Sequence, residues 1–463
     1  MDNKKLYYTI SVLLILTMAT SAVAMGNRAS SDIQVHQAPT ELTLGGLFPL
    51  SGTLAGGGVE RDAAARMAVK EINENTQLLP DTTLKISVKD TATDPSTGSQ
   101  VASELISDGV VGLIGAASSS VSTAIASGPS LTNKVPQISY SSTSPDLSNK
   151  TLYPYFLRVV PPDSIQGLAI ANLVDEWNFT SVATLATSDD YGLGGIGVFE
   201  SEATDLGIDV VSSQRFAQGA TDIKAQLQSI VDSDVKQIVL NVIVGDAITV
   251  FSQAADLGMT AENGYTWIGT DGPTQGAVFE NNTKIQNAMQ GMVGTRPNTG
   301  SDAVYNSFLD LWETCYGADE NTYAGCGDRT PNTYATFAYD AVYTFANAFQ
   351  KMIDNDEADQ ISNGTRLLEV LYDTDFTGAT GVVKFNENGD RLGVYDVINL
   401  VKDQFKVVGT WDTTNGYVET GTIDWDGELV TGQSGAPGFG FYLAVFTLIV
   451  TAPAIRRFRK KDL

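Results

Sequence analysis

Residues 135–163 read VPQISYSSTSPDLSNKTLYPYFLRVVPPD. A short apolar run, Val135 to Ile138, leads directly into Ser139, Tyr140, Ser141, Ser142 and Thr143. Small hydroxyl side chains and free backbone N–H groups therefore sit at the carboxyl end of a strand, where open α/β sheets bind their ligands. Upstream, Val110 to Ile114 reads as a second buried strand that ends in Gly115, and a helix pattern follows from Val121 to Asn133. Ser118, Ser119 and Ser120 fall at that helix N-terminus, whose unpaired N–H groups and positive dipole end suit a carboxylate.

Working outward, strand and helix patterns alternate. Glu41 to Phe48 is a strand; Gly58 to Asn73 is an amphipathic helix with Ala64, Met67, Ala68 and Ile72 on one face. The alternation continues through helix Asp163 to Trp177, strand Val182 to Ala186, helix Gly194 to Leu206, strand Gln237 to Val242 and strand Tyr265 to Ile268. Such βαβ repetition implies parallel, doubly wound sheets. Beyond it the pattern changes to long helices, Asp302 to Tyr316 and Thr333 to Ile353, then a Gly-rich hairpin region, Phe376 to Gly393, and two strands ending at Trp411. From Asp412 to Gly435 the composition turns to Gly, Thr and Asp, which reads as a stalk.

Composition excludes several functions. The 463 residues suffice for two or three domains, and 28 Lys+Arg against 54 Asp+Glu give a net charge of −26. That surface repels phosphate backbones, so no nucleic-acid partner is expected. The single histidine, His36, lies in a polar lead, which rules out Ser-His-acid or Cys-His catalysis and a His-built metal site. A carboxylate-only metal site stays open, although the acids are dispersed as on a solvated surface. Gly192, Gly194 and Gly197 spell a dinucleotide fingerprint, but Asp189 and Asp190 would repel a pyrophosphate; Gly56 to Gly58 lack the Lys-Ser/Thr of a phosphate loop. The expectation is a protein that is not an enzyme and uses neither cofactor nor metal.

Both ends look like targeting segments. Lys4 and Lys5, the apolar run Leu6 to Met18 and the small residues Ser21 to Ala24 read as a signal peptide cut after Ala24. At the far end an apolar stretch to Ile455 precedes Arg456-Arg-Phe-Arg-Lys-Lys461, at the short limit for a membrane helix with a cytoplasmic basic tail. Cys315 and Cys326 suit an extracellular disulfide, contributing about 3 kcal/mol by loop entropy. Two unrelated thiols are the alternative. Sequons at Asn149, Asn178, Asn281 and Asn363 are compatible with surface glycosylation.

The motifs GAASSSVS, VPQISYSSTSPDLS, YPYFLRVVPPD, ATSDDYG and WIGTDG stand in an order and spacing that resembles the ligand-binding region of class C receptors, of glutamate and GABA-B type. That region is related to the leucine/isoleucine/valine-binding proteins of ABC transporters, and the resemblance covers about Leu42 to Trp411. It implies a two-lobed periplasmic-binding-protein type I fold, each lobe a doubly wound parallel sheet, with three crossovers near Arg158, Gly272 and Phe376. The expected organisation is 1–24 signal peptide, 25–40 lead, 41–157 and 273–375 first lobe, 158–272 and 376–411 second lobe, 412–436 stalk, and 437–463 anchor. Pro437-Gly438-Phe439 with the apolar run and basic tail resembles the archaeal PGF-CTERM sorting signal, which implies a lipid anchor; a permanent membrane helix is the alternative.

The resemblance also implies a ligand set. A zwitterionic amino acid needs donors at its carboxylate and an anion or acceptors at its ammonium. By match to the family motifs, Ser119 and Thr143 would hold the α-carboxylate, helped by the backbone at Ser141. Asp163, Tyr191 and Asp271 fall where the α-ammonium is held. Each has a local explanation too, as helix cap or turn residue, and it is their joint spacing that favours binding. Arg366 falls where glutamate-type receptors place a lysine for the distal carboxylate, although an exposed helical arginine is commonly just solvated. Because Ser51 to Gly58 carry no second cation, and Asp163 and Asp271 make the second lobe anionic, neutral or small polar amino acids are the expected ligands, with acidic ones the alternative. The implied role is a membrane-anchored, extracytoplasmic solute-binding protein delivering an amino acid to an ABC permease, or a sensor acting through a membrane signalling partner.

Overall fold

The computed structural model describes residues 38–279, 282–315, 326–327 and 330–427. The stretch read as a signal peptide, His36 with most of the lead, the sequon at Asn281 and the stretch 437–463 read as a sorting signal or membrane helix lie outside the described residues.

The first lobe grows from β1 (Glu41–Phe48), α1 (Ala55–Glu74), β2 (Thr83–Asp90), α2 (Pro95–Ser107), β3 (Gly112–Ile114), α3 (Ser119–Ile125), β4 (Gln137–Ser139) and β5 (Phe156–Arg158). Its strands pair in parallel in the order β2-β1-β3-β4-β5. β1 is covered on both faces, hence its nearly unbroken apolar run. Gly45 and Gly46 let the covering layers approach: a Cβ there would lie 2.9 Å from Leu113 Cδ2 and 2.8 Å from Phe48 Cε2.

The second lobe holds α4 (Asp163–Glu176), β6 (Ser181–Thr187), α5 (Asp190–Leu206), β7 (Asp209–Phe216), α6 (Lys224–Asp232), β8 (Gln237–Asn241), α7 (Val244–Asp256), β9 (Thr266–Gly269), α8 (Thr283–Ala288) and β10 (Val293–Pro297). Ile238 and Leu240 of β8 join one apolar cluster while Val239 joins another, so period-two alternation feeds cores on both faces of the sheet. After α9 (Ala303–Glu313), α10 (Thr333–Asp354), α11 (Gly364–Tyr372) and the hairpin β11 (Asp375–Gly378) and β12 (Gly381–Lys384), the chain returns to this sheet. β13 (Tyr395–Val401), β14 (Gln404–Asp412) and β15 (Gly416–Glu419) complete the order β15-β14-β13-β10-β9-β8-β6-β7. The second sheet is thus parallel from β7 to β10 and antiparallel from β13 outward, because short turns join β13 to β14 and β14 to β15.

Three expected boundaries move. β10 lies in the second sheet, paired with β9 and β13, so the return to the first lobe falls after Pro297 and not near Gly272. The hairpin packs into the first-lobe core through Ala379, Val383 and Phe385, and Asp340 of α10 accepts from the Ala379 and Thr380 N–H groups at 2.8 and 2.9 Å. The last crossing therefore lies beyond it and not near Phe376. The stretch read as a stalk from Asp412 contributes β15, and Trp425 packs against Trp177 and Phe179. Cys315 and Cys326 are joined within the first-lobe core, with Cα atoms 5.4 Å apart.

Two crossings are tied together by a buried ion pair, Arg158 Nε to Asp390 Oδ1 at 2.6 Å. Arg158 also donates to the carbonyls of Ser142 (3.2 Å) and Ser144 (2.8 Å) and to Ser148 Oγ (2.6 Å). Its charge is fully hydrogen-bonded, and that bonding holds the loop beyond β4 in place.

Candidate ligand cleft

The strand ends of both sheets converge on one enclosed cleft. The first lobe supplies Ser118 and Ser119 from the start of α3, Ser141 beyond β4, Leu54 and Arg61 from α1 and its approach, and Tyr334 from α10; the second supplies Tyr191, Ile243, Val244, Asp271 and Gln275. About 30 Å³ remains between them, so the lobes are drawn together here. Direct contacts cross the gap: Asn332 Nδ2 donates to Gln275 Oε1 at 2.8 Å, and the Tyr334 hydroxyl donates to Asp271 Oδ2.

On the first lobe, Ser119 is 2% exposed, and its Oγ accepts from the Ser144 N–H at 3.1 Å, which leaves its hydroxyl hydrogen to donate. Ser141 lines the cleft, but its N–H is committed to Ser139 Oγ at 3.2 Å, which differs from the expected backbone contact with ligand. Thr143 does not line the cavity. Its Oγ1 donates to Asp163 Oδ2 at 2.9 Å, and the Asp163 N–H donates to the Thr143 carbonyl at 2.8 Å. A residue expected at the carboxylate and one expected at the ammonium thus bond to each other across the lobe boundary. They are neighbours because Pro161 and Pro162 bring α4 in directly beside the loop after β4.

The second-lobe side is a hydroxyl-bounded acid. Tyr191, in the first turn of α5, donates to Asp271 Oδ1 and meets Thr270 Oγ1, both at 2.9 Å. Gly192 is required there because a Cβ would lie 2.1 Å from the Thr187 carbonyl oxygen; at Gly194 a Cβ would lie 2.8 Å from Pro145 Cδ, while Gly197 faces open space, so close packing accounts for the first two glycines of the apparent fingerprint. Burial raises the pKa of Asp271, against the hydrogen bonds from Tyr334 and Tyr191. Burial also raises Asp163 well above the carboxylate range, and the charge on Asp271 pushes it further, while Thr143 and Arg158 oppose. Asp163 Oδ1 has no hydrogen-bond partner among the described residues. Two buried acids that disfavour each other's ionisation form a receptacle for a cation.

Sequence reasoning missed Arg61. It is 2% exposed, its guanidinium sits 5.1 Å from the centre of the Tyr334 ring, and its Nε and Nη1 find no hydrogen-bond partner among the described residues. Burial pulls its pKa down, opposed by the negative groups around it, Glu60 and Asp271 among them. The signal was present: Arg61 stands at helical spacing with Ala64, Ala65, Ala68 and Ile72, on the buried stripe of α1. A cation on an apolar stripe needs a partner, and this one faces the cleft.

Arg366 is not brought to the cleft. Its Nε and Nη2 pair with Glu357 at 2.8 and 3.0 Å and its Nη1 with Glu369 at 2.8 Å, so its charge is satisfied on its own surface. No group of three or more His, Cys, Asp or Glu side chains suited to a metal ion occurs among the described residues.

The arrangement defines a class: a two-lobed α/β domain with a buried polar cleft between facing strand ends. The chain belongs to the receptor family ligand binding region, whose family model matches residues 60–403. It is similar to glutamate receptor 3.1 of Oryza sativa subsp. japonica, with 27% identity over 407 residues, 82% of this chain and 42% of that protein. It is also similar to metabotropic glutamate receptor 8 of Rattus norvegicus, with 26% identity over 483 aligned residues, 87% of this chain and 53% of that protein. The chain spans about half the length of the curated relatives it matches.

Proposed function

We propose that the cleft binds an amino acid carrying a second acidic group. Arg61 carries this reading, as a buried guanidinium on the wall of the cavity whose Nε and Nη1 have no hydrogen-bond partner among the described residues. The α-carboxylate is received by the Ser119 hydroxyl and the start of α3, and the α-ammonium by Asp271 and Tyr191, with Asp163 behind them. The distal carboxylate meets Arg61, which a planar fork of donors suits. This revises the expectation of neutral ligands, which rested on finding no cation in Ser51 to Gly58. The names of the two glutamate-receptor relatives support it. A thermal-shift screen of the common amino acids tests it: glutamate or aspartate should raise the melting temperature most by binding linkage, and a response confined to neutral amino acids overturns it.

In role, the protein acts outside the membrane, held there by segment 437–463, as the ligand-binding part of a receptor that signals through a membrane partner. Delivery to an ABC permease is the second reading, supported by the motifs shared with leucine/isoleucine/valine-binding proteins. Neighbouring permease and ATPase genes would favour transport, and a neighbouring kinase or chemoreceptor would favour sensing.

A further inference from the structure

A second recess, of about 320 Å³, opens on the second lobe and shares no residue with the cleft. Its walls come from Glu176 and Trp177 at the end of α4, Tyr417 and Glu419 of β15, and Ile423 and Trp425 just beyond. The indoles of Trp177 and Trp425 stand 5.4 Å apart at 86°, so they form two adjoining walls of a box, braced from behind by Phe179. The Tyr417 hydroxyl is buried without a hydrogen-bond partner among the described residues. Burial raises its pKa, and the charges of Glu419 and Glu176 add to the shift, which places both carboxylates around the same recess. Neither glutamate forms an ion pair with a lysine or arginine among the described residues.

Aromatic faces attract cations through their quadrupole, most strongly where the cation is weakly hydrated. The two carboxylates repel anions and give a neutral apolar guest nothing for their charge. A strongly hydrated metal ion would gain little from indole walls. We propose that this recess is a binding site for a small methylated ammonium cation. The box is closed only when the chain beyond β15 folds back, so the segment whose composition resembles a stalk supplies most of the site.

Choline chloride titrated into the full chain, followed by tryptophan fluorescence, tests the assignment. A saturable change is expected with choline, none with sodium chloride at equal ionic strength, and none with the neutral isostere 3,3-dimethyl-1-butanol. Choline affinity should fall by about tenfold or more in the double variant Glu176→Gln with Glu419→Gln and in Trp425→Leu. The double variant changes only exposed side chains, so it keeps the test decisive where Trp425→Leu fails to fold. Equal binding of the neutral isostere, unchanged choline affinity in the double variant, or no saturable change with choline overturns the proposal.

Discussion

Two arginines near the starts of amphipathic helices have opposite fates. Arg61 of α1 lies on the apolar stripe, buried, with its Nε and Nη1 unpartnered among the described residues, whereas Arg366 of α11 lies off the stripe and is held by Glu357 and Glu369. Residue type and closeness to a family motif pointed to Arg366. Position on the helical face points to Arg61. The comparison teaches that a cation becomes available to a ligand when its helix carries it inward, away from the surface carboxylates that would pair it. Near an acidic surface, an outward-facing arginine is quickly paired.

The largest expected effect comes from Arg61→Met, which keeps the buried volume and removes the charge. Affinity for a dicarboxylic amino acid should fall by about 2 to 5 kcal/mol, because the ligand's carboxylate is left desolvated and unanswered. The unliganded variant should melt no lower than the parent, since an unpaired buried charge is gone. Differential scanning calorimetry and binding titration on one preparation check both halves.

Next is Asp163→Asn. The folded-state pKa of Asp163 is raised, so its contribution to stability is present below the ordinary carboxylate range and is lost as pH rises through the raised value. Replacing it should therefore raise the melting temperature of the unliganded protein near neutral pH, with the gap from the parent closing as pH falls. The same change should weaken ligand binding, because an ammonium needs the ionised acid. In the parent, affinity should decline on acidification for the same reason. A variant that binds normally, or a melting gap that widens towards acid, would contradict the placement of Asp163 behind the ammonium.

Ser119→Ala removes one charge-assisted hydrogen bond and should cost about 1.5 to 3 kcal/mol of affinity. Isothermal titration reads this directly, and an unchanged constant would remove Ser119 from the carboxylate site.

The smallest effect belongs to Arg366→Leu. Its ion pairs are surface pairs, so stability should change by about 1 kcal/mol or less and ligand affinity hardly at all. Loss of binding in this variant would break the comparison from the other side.

Much of the architecture was legible because it rests on periodicity. β1 begins and ends at Glu41 and Phe48, the bounds read from its apolar run, and the βαβ order through β9 follows from alternation alone. β10 escaped notice because Val-Gly-Thr-Arg-Pro carries one strongly apolar residue; its place in the sheet depends on β9 and β13, which lie far away in sequence. The fold-back after Asp412 was hidden for a similar reason, since Tyr417 and Trp425 are isolated aromatics in a polar stretch, and their partner Trp177 lies far upstream. In the cleft, the strand-end hydroxyls and acids could be named from motifs. That Thr143 would bond Asp163, or that Tyr334 would reach Asp271 from α10, depends on how closely the lobes approach, which local sequence does not encode.

The central claim is that Arg61 makes this cleft one for a second carboxylate. Calorimetric titration of the parent protein with glutamate and with glutamine tests it most directly, because the two ligands differ only in the group that would face the guanidinium. The account expects glutamate to bind the more tightly, by a margin that Arg61→Met erases. Glutamine binding as tightly as glutamate in the parent would contradict it.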